Sequence, residues 1–197
     1  MAWGKNGTPS TLTGVADVIT ISDLTDKKFN VFLTHAISVT GNTQHKFRYN
    51  NNNNPVYAET YNVNGGSDNG LISQTSFSPD PTGTNDDKFS VIYNVNITSE
   101  EKLSIAFGIA QNASGSGIAP MRIETVHKFV PNPNVNITRI DLINGSAGDF
   151  AIGSNLSALG TTGDEVLYKI QNGTVFEETD TNRSYIFNAT TSTWVQI

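Results

Sequence analysis

The chain has 197 residues, a net charge of −6, 37% hydrophobic and only 15% charged residues, and no cysteine. This length and apolar content suit one large domain with an appendage, or two modest domains, and the missing cysteines exclude disulfide staples. Its 12 Lys and Arg are scattered, which argues against a nucleic-acid groove, where clustered cations must displace counterions.

No apolar run approaches the roughly 20 residues of a membrane helix. No basic segment followed by an apolar one opens the chain, so no secretory leader is expected. Solubility falls to Asn, Thr, Ser and Gly.

Alternation with a period of two dominates from the start. Residues 15–24 read as a strand, and so do 28–39, where Phe29, Val31, Leu33, Ile37 and Val39 alternate with Lys28, Asn30, Thr34 and Ser38. Strands are also expected at 45–50, 56–63 and 71–77. In 89–97 the odd positions are Phe89, Val91, Tyr93, Val95 and Ile97, and the pattern resumes with Leu103, Ile105, Phe107 and Ile109. The pair reads as a long hairpin. Thr98 and Glu101 also match a helix capping box, but the period-two residues that follow favour a turn. Further strands at 121–130, 135–143 and 150–159 bring the total to about ten before residue 160. The apolar faces are expected to form the core.

The loops at 50–55 (an Asn run closed by Pro55), 64–70, 78–87 and 112–119 are the expected places for recognition. Pro131-Asn132-Pro133-Asn134 reads as a stiff corner and a candidate boundary, and Gly160-Thr161-Thr162-Gly163 as another. The chain after it holds three short strands. The first is at Val175-Phe176-Glu177-Glu178. An Asp180-Thr181-Asn182 reversal leads to the second, Tyr185-Ile186-Phe187, and Thr193-Trp194-Val195 closes. This unit is too small for a core of its own and must lean on a larger body or on copies of itself. The expected fold is all-β: an antiparallel β-sandwich of jelly-roll type over 1–160, with a small C-terminal β meander over 161–197 for packing or oligomer contacts.

The three histidines, His35, His45 and His127, are far apart and lack the close spacing of a metal pair. His35 shares the apolar parity of its strand and is expected to be half-buried in the core. Asp80, Asp86 and Asp87, and the Ser67-Asp68-Asn69-Gly70 turn, offer oxygen ligands without the calcium-loop pattern, and read as solvated turns. No nucleophile elbow, phosphate loop or zinc helix occurs. The adjacent acids Glu100-Glu101 and Glu177-Glu178 point to opposite strand faces, unlike the convergent pair of a polysaccharide-degrading enzyme. No catalytic residue, cofactor or metal site is expected. Tyr49, Tyr57, Tyr61 and Trp194, in polar surroundings, are candidates for stacking on sugar rings. Tyr185, Phe187 and Trp194 are candidates for subunit contact. Asn6, Asn96, Asn136, Asn172 and Asn188 open Asn-x-Ser/Thr triplets, which a chain this rich in Asn and Thr produces by chance.

Two stretches carry a resemblance. Ile137-Thr138-Arg139-Ile140-Asp141-Leu142 and Gly148-Asp149-Phe150-Ala151-Ile152-Gly153-Ser154-Asn155-Leu156 through Gly160 resemble the closing strands of jelly-roll modules in tailed-phage structural proteins. Residues 178–188 with Thr193-Trp194 are similar to a small β unit near the ends of phage tail and fibre proteins, except that Thr190-Thr191-Ser192-Thr193 stands where that unit often has Gly. The resemblance implies a non-enzymatic virion structural protein on the particle exterior: a capsid decoration, head fibre or tail component. It would be assembled in the host cytoplasm as a homo-oligomer, with a trimer favoured, and would contact capsid or tail proteins. It carries over no catalytic residue. The competing expectation is a carbohydrate-binding module that attaches to host surface glycans; neither nucleic acid nor membrane insertion is expected.

Overall fold

Alternating side chains and frequent Asn, Gly and Pro leave no room for an amphipathic helix, and the computed structural model is all-β, with no helix among the described residues. Those residues are 3–39, 43–79, 86–112, 115–146, 149–163, 172–188, 190–191 and 193–197. Asp80 and most of its loop, residues 113–114 and Gly148 lie outside them.

The strands begin with β1 (Gly4–Lys5), β2 (Ser10–Thr11), β3 (Val18–Ile21), β4 (Phe29–Ala36) and β5 (His45–Tyr49). Next come β6 (Tyr57–Val63), β7 (Asn69–Gln74), β8 (Lys88–Val95), β9 (Lys102–Ala110) and β10 (Met121–Phe129). The chain ends with β11 (Ile140–Asn144), β12 (Asn155–Thr161), β13 (Val175–Glu178), β14 (Arg183–Asn188) and β15 (Thr193–Gln196). Residues Trp3–Gly163 form one compact unit, and 164–197 fall in a second.

The first unit is an antiparallel β-sandwich of unequal layers. A nine-stranded sheet runs β1-β12-β4-β8-β9-β10-β6-β7, with β2 also on β12, and a three-stranded sheet runs β3-β11-β5. Residues 98–101 form a turn, not a helix, and β8 and β9 pair as the expected hairpin. Phe77 bridges Phe47 through two backbone hydrogen bonds of 2.8 and 3.1 Å, so residues 76–78 lie against the free edge of β5. The Pro131–Asn134 corner carries the chain from β10 in the large sheet to β11 in the small one, and its Asn132-Pro133 bond is cis.

The core lies between the layers. Ile19, Ile21, Phe47, Tyr49, Ile140 and Leu142 come from the small sheet, and Phe32, Tyr57, Ile92, Ala106 and Phe129 from the large one. Tyr49 is at the centre, its ring 5.1 Å from Phe77, 5.6 Å from Phe129 and 6.1 Å from Phe32. These rings fill the interlayer space and leave room only for small groups on β9, at Ser104, Ala106 and Gly108. Gly108 marks the limit, because a Cβ there would lie 2.6 Å from the Pro79 carbonyl oxygen.

This packing corrects the expected facing of the large sheet. The inward residues of β8 are Lys88, Ser90, Ile92 and Asn94, and those of β9 are Lys102, Ser104, Ala106, Gly108 and Ala110. The apolar odd-numbered set, expected inside, faces out: Phe89, Tyr93, Leu103, Ile105, Phe107 and Ile109 are all exposed. β4 follows the same rule except at Val31, which is buried as well. Asn30, Phe32, Thr34 and Ala36 are buried, while His35 is exposed rather than half-buried in the core. The two inward lysines reach backbone carbonyls at the rim, Lys88 Nζ donating to Thr43 at 2.7 Å and Lys102 Nζ to Ile97 and Glu100; their aliphatic stems cover apolar surface while the ammonium finds oxygen.

In the second unit β14 lies between β13 and β15. One face of this meander holds Phe176, Tyr185, Phe187 and Trp194, with ring centroids 5.2–6.4 Å apart. Val175, Ile186 and Val195 form a cross-strand ladder on the other. No described side chain of this unit is fully buried.

Candidate functional site

Two of the four candidate sugar-stacking rings are withdrawn from solvent. Tyr49 is 0% and Tyr57 1% exposed. The Tyr57 hydroxyl accepts the Tyr49 N–H at 2.9 Å and donates to the Tyr49 carbonyl at 3.2 Å. Burial pushes both phenols well above their usual pKa. They are core pillars, and the polar neighbours that suggested a binding edge are strand ends and turn residues. Tyr61 is half-buried and Trp194 exposed, on separate units. The candidate contact residues Tyr185, Phe187 and Trp194 do come together, on the aromatic face of the meander.

The titratable core groups are taken up in ring packing and backbone contacts. His45 is fully buried, edge-on to Phe150 at 5.6 Å, and burial lowers its pKa well below the usual value. His127 stacks on Phe77. Glu59, its cross-strand partner, accepts the Ser78 N–H at 2.7 Å, and burial raises its carboxyl to about 7. The Ser78 hydroxyl donates to the His45 carbonyl at 2.6 Å, so these groups tie residues 76–78 to both layers. Asp87 accepts the Ser38 N–H at 3.1 Å, and Glu101 pairs with Lys128 at 3.2 Å. Among the described residues no three His, Asp or Glu gather as a metal site would require.

Asparagine amides act as clamps. Asn6 Oδ1 accepts the Thr25 N–H (2.8 Å) and hydroxyl (2.7 Å), and its Nδ2 donates to Asn30 Oδ1 at 2.8 Å. Asn96 Oδ1 accepts the Ile137 N–H at 2.8 Å. Both are buried, so neither triplet presents its Asn for a sugar.

What remains is surface. The outer side of the small sheet has a polar row of Thr20, Asp141 and Arg48 beside a row holding Val18 and Ile143; Asp141 is held by the Thr20 hydroxyl at 2.6 Å and Arg139 at 2.8 Å. The outer side of the large sheet is more apolar. One row across it reads Leu159, Val31, Tyr93, Ile105, Val126, of which Val31 is itself buried, and the next contains Leu33, Val91 and Phe107. Alternation alone assigns these residues to the core and hides them as a surface. The signal lay in the opposite parity, which, apart from the terminal Lys88 and Lys102, carries Phe32, Ile92, Ala106, Gly108 and Ala110, small or apolar residues able to sit between layers. A depression of about 360 Å³ on this face is lined by Tyr61, Asn62, Asp68, Ile105, Phe107, Glu124 and Val126, among others.

The fold and surface together define an all-β sandwich protein whose distinctive features are apolar faces. No family model, curated protein or solved structure matches the chain.

Proposed function

We propose that this chain is a non-enzymatic structural protein of a virus particle surface, of the tailed-phage kind, that works by assembling with copies of itself and with other particle proteins. The observation that carries this reading is the C-terminal meander. It is apolar on both faces yet has no fully buried described side chain, with Phe176 51% and Ile197 67% exposed. A free unit of this size without disulfides usually depends on a metal or on oligomerisation, and burial against partners would cover the apolar faces it leaves exposed. The closing-strand and terminal-unit resemblances direct the reading to a capsid decoration, head fibre or tail component on the particle exterior. A homotrimer is the first stoichiometry to test, since closed symmetry covers sheet edges and faces without runaway pairing.

Removing residues 164–197 tests the reading. The truncated chain loses its oligomeric mass, or its attachment to particles, by sedimentation and particle pull-down; a truncation that assembles and attaches like the full chain overturns it.

A carbohydrate-binding, host-recognition role is the second reading. In its favour is the depression beside Tyr61, where Asn62, Asp68 and Glu124 offer hydrogen-bonding groups near the Phe107 ring. A glycan array probed with the intact protein separates the two, because only the second requires binding.

A further inference from the structure

We infer that the outward face of the large sheet, centred on β8 and β9, is the surface through which copies of this chain pack on one another. The inference rests on the reading above of a self-assembling protein and adds the place where the copies meet.

Three observations carry it. The first is area. Eight large apolar side chains on this face, from Leu159 on β12 to Val126 on β10, are each 36–57% exposed. Together they leave roughly 700 Å² exposed, close to what one partner contributes to a standard interface and above the roughly 300–600 Å² of the largest patch on a typical monomer.

The second is shape. The face belongs to central strands whose backbone groups are already paired on both sides, so a partner docks by side chains, not by adding a strand. The rows of alternate residues form a grid, and the complement of such a grid is another sheet face about 10 Å away. A second copy supplies one.

The third is charge. Among the described residues, the outward side chains of β8 from Phe89 to Val95 and of β9 from Leu103 to Ile109 carry no charge. β10 flanks them with Arg122, Glu124 and Lys128, cross-strand from Ile109, Phe107 and Leu103, and these are matched inside the chain: Arg122 lies 3.7 Å from Glu124, and Lys128 3.2 Å from Glu101. Nothing there selects a charged partner or a lipid headgroup, and the polar row on the small sheet shows how this chain builds a face meant for water. Like meeting like across a symmetric contact places apolar groups on apolar groups with no unpaired charge.

The experiment is sedimentation velocity on the full-length chain, wild type against Ile105→Lys and Tyr93→Lys, with circular dichroism to confirm folding. Ile72→Lys on β7, at 78% exposure, is the control. The inference expects a wild-type oligomer whose association is weakened at least about 100-fold by either face variant, as for central interface residues, and unchanged by the control. An oligomer that survives both face variants overturns the surface and leaves self-assembly standing. A wild-type monomer at high micromolar concentration overturns both. Should a lysine variant fail to fold, the absence of native cysteine allows a gentler probe in the full chain. Ile105→Cys is expected to react with maleimide slowly in the oligomer and rapidly on dilution; labelling as fast as Ile72→Cys at every concentration overturns the inference.

Discussion

The imidazole of His127 lies flat on the ring of Phe77, centroids 3.5 Å apart and planes within 15° of each other, with Nε2 3.3 Å from the Tyr49 hydroxyl. The stack joins β10 of the large sheet to the segment bridged to β5 of the small one. It also holds an ionisable ring where its charged form has no water, and burial lowers its pKa to about 3.

Acid should therefore unfold the protein earlier than its carboxylates alone require. In the unfolded chain His127 and His45 titrate near the usual 6.5, whereas both are depressed in the fold. Below pH 6.5 the unfolded state binds more protons, and stability falls with pH by about 1.4 kcal/mol per unit for each proton. His127→Phe, which keeps the stacking partner, is expected to remove one proton's worth of that slope between pH 6.5 and 3. Urea midpoints across this range check it, and an unchanged slope refutes it.

Glu59 opposes this trend over part of the range. Its carboxyl is raised from 4.5 to about 7, so the folded state holds a proton that the unfolded state releases, and its contribution is complete below pH 4.5 and lost as pH rises through 7. Glu59→Gln retains an acceptor for the Ser78 N–H and removes the ionisation. The variant should gain about 3 kcal/mol at pH 8 relative to its effect at pH 4, measured by urea unfolding at both values.

Gly108→Ala places a methyl group against the Pro79 carbonyl oxygen, which is backbone and cannot swing away. A cost of about 2 kcal/mol is expected from overpacking, or roughly 4–8 °C in melting temperature for a chain of this size. At Gly70 an added Cβ meets nothing within 4 Å, and Gly70→Ala should leave the melt almost unmoved. Equal melts for the two variants would remove the close-approach argument.

Asn6→Ala takes both partners from Thr25 and one from the buried Asn30. Leaving buried polar groups unsatisfied costs about 1–3 kcal/mol. Asn6→Asp keeps the acceptor and should recover part of the loss. Thermal unfolding of the two variants decides it, and no difference between them would mean that the amide is not the clamp.

Strand existence was legible because it depends on local alternation. The hairpin of β8 and β9 follows from Phe89 to Ile97 and Leu103 to Ile109, and the turn between them from the failure of a helical period after Glu101. β1 and β2, two residues each, escaped because they have no period to read and exist only by pairing with β12. The candidate site was less legible. Tyr49 and Tyr57 have polar neighbours in sequence, yet their rings point between the layers, where no local pattern could place them.

Period-two alternation by itself determined that this chain is all-β and that each strand has two chemically distinct faces. Which face turns inward is decided only when the layers meet. Phe47, Tyr49 and Phe77 fill the gap between them and leave the facing strand positions to Ser104, Ala106 and Gly108. The larger side chains of the same strands are thereby driven outside, because two sets of bulky groups cannot occupy one interlayer volume at the density of a protein interior.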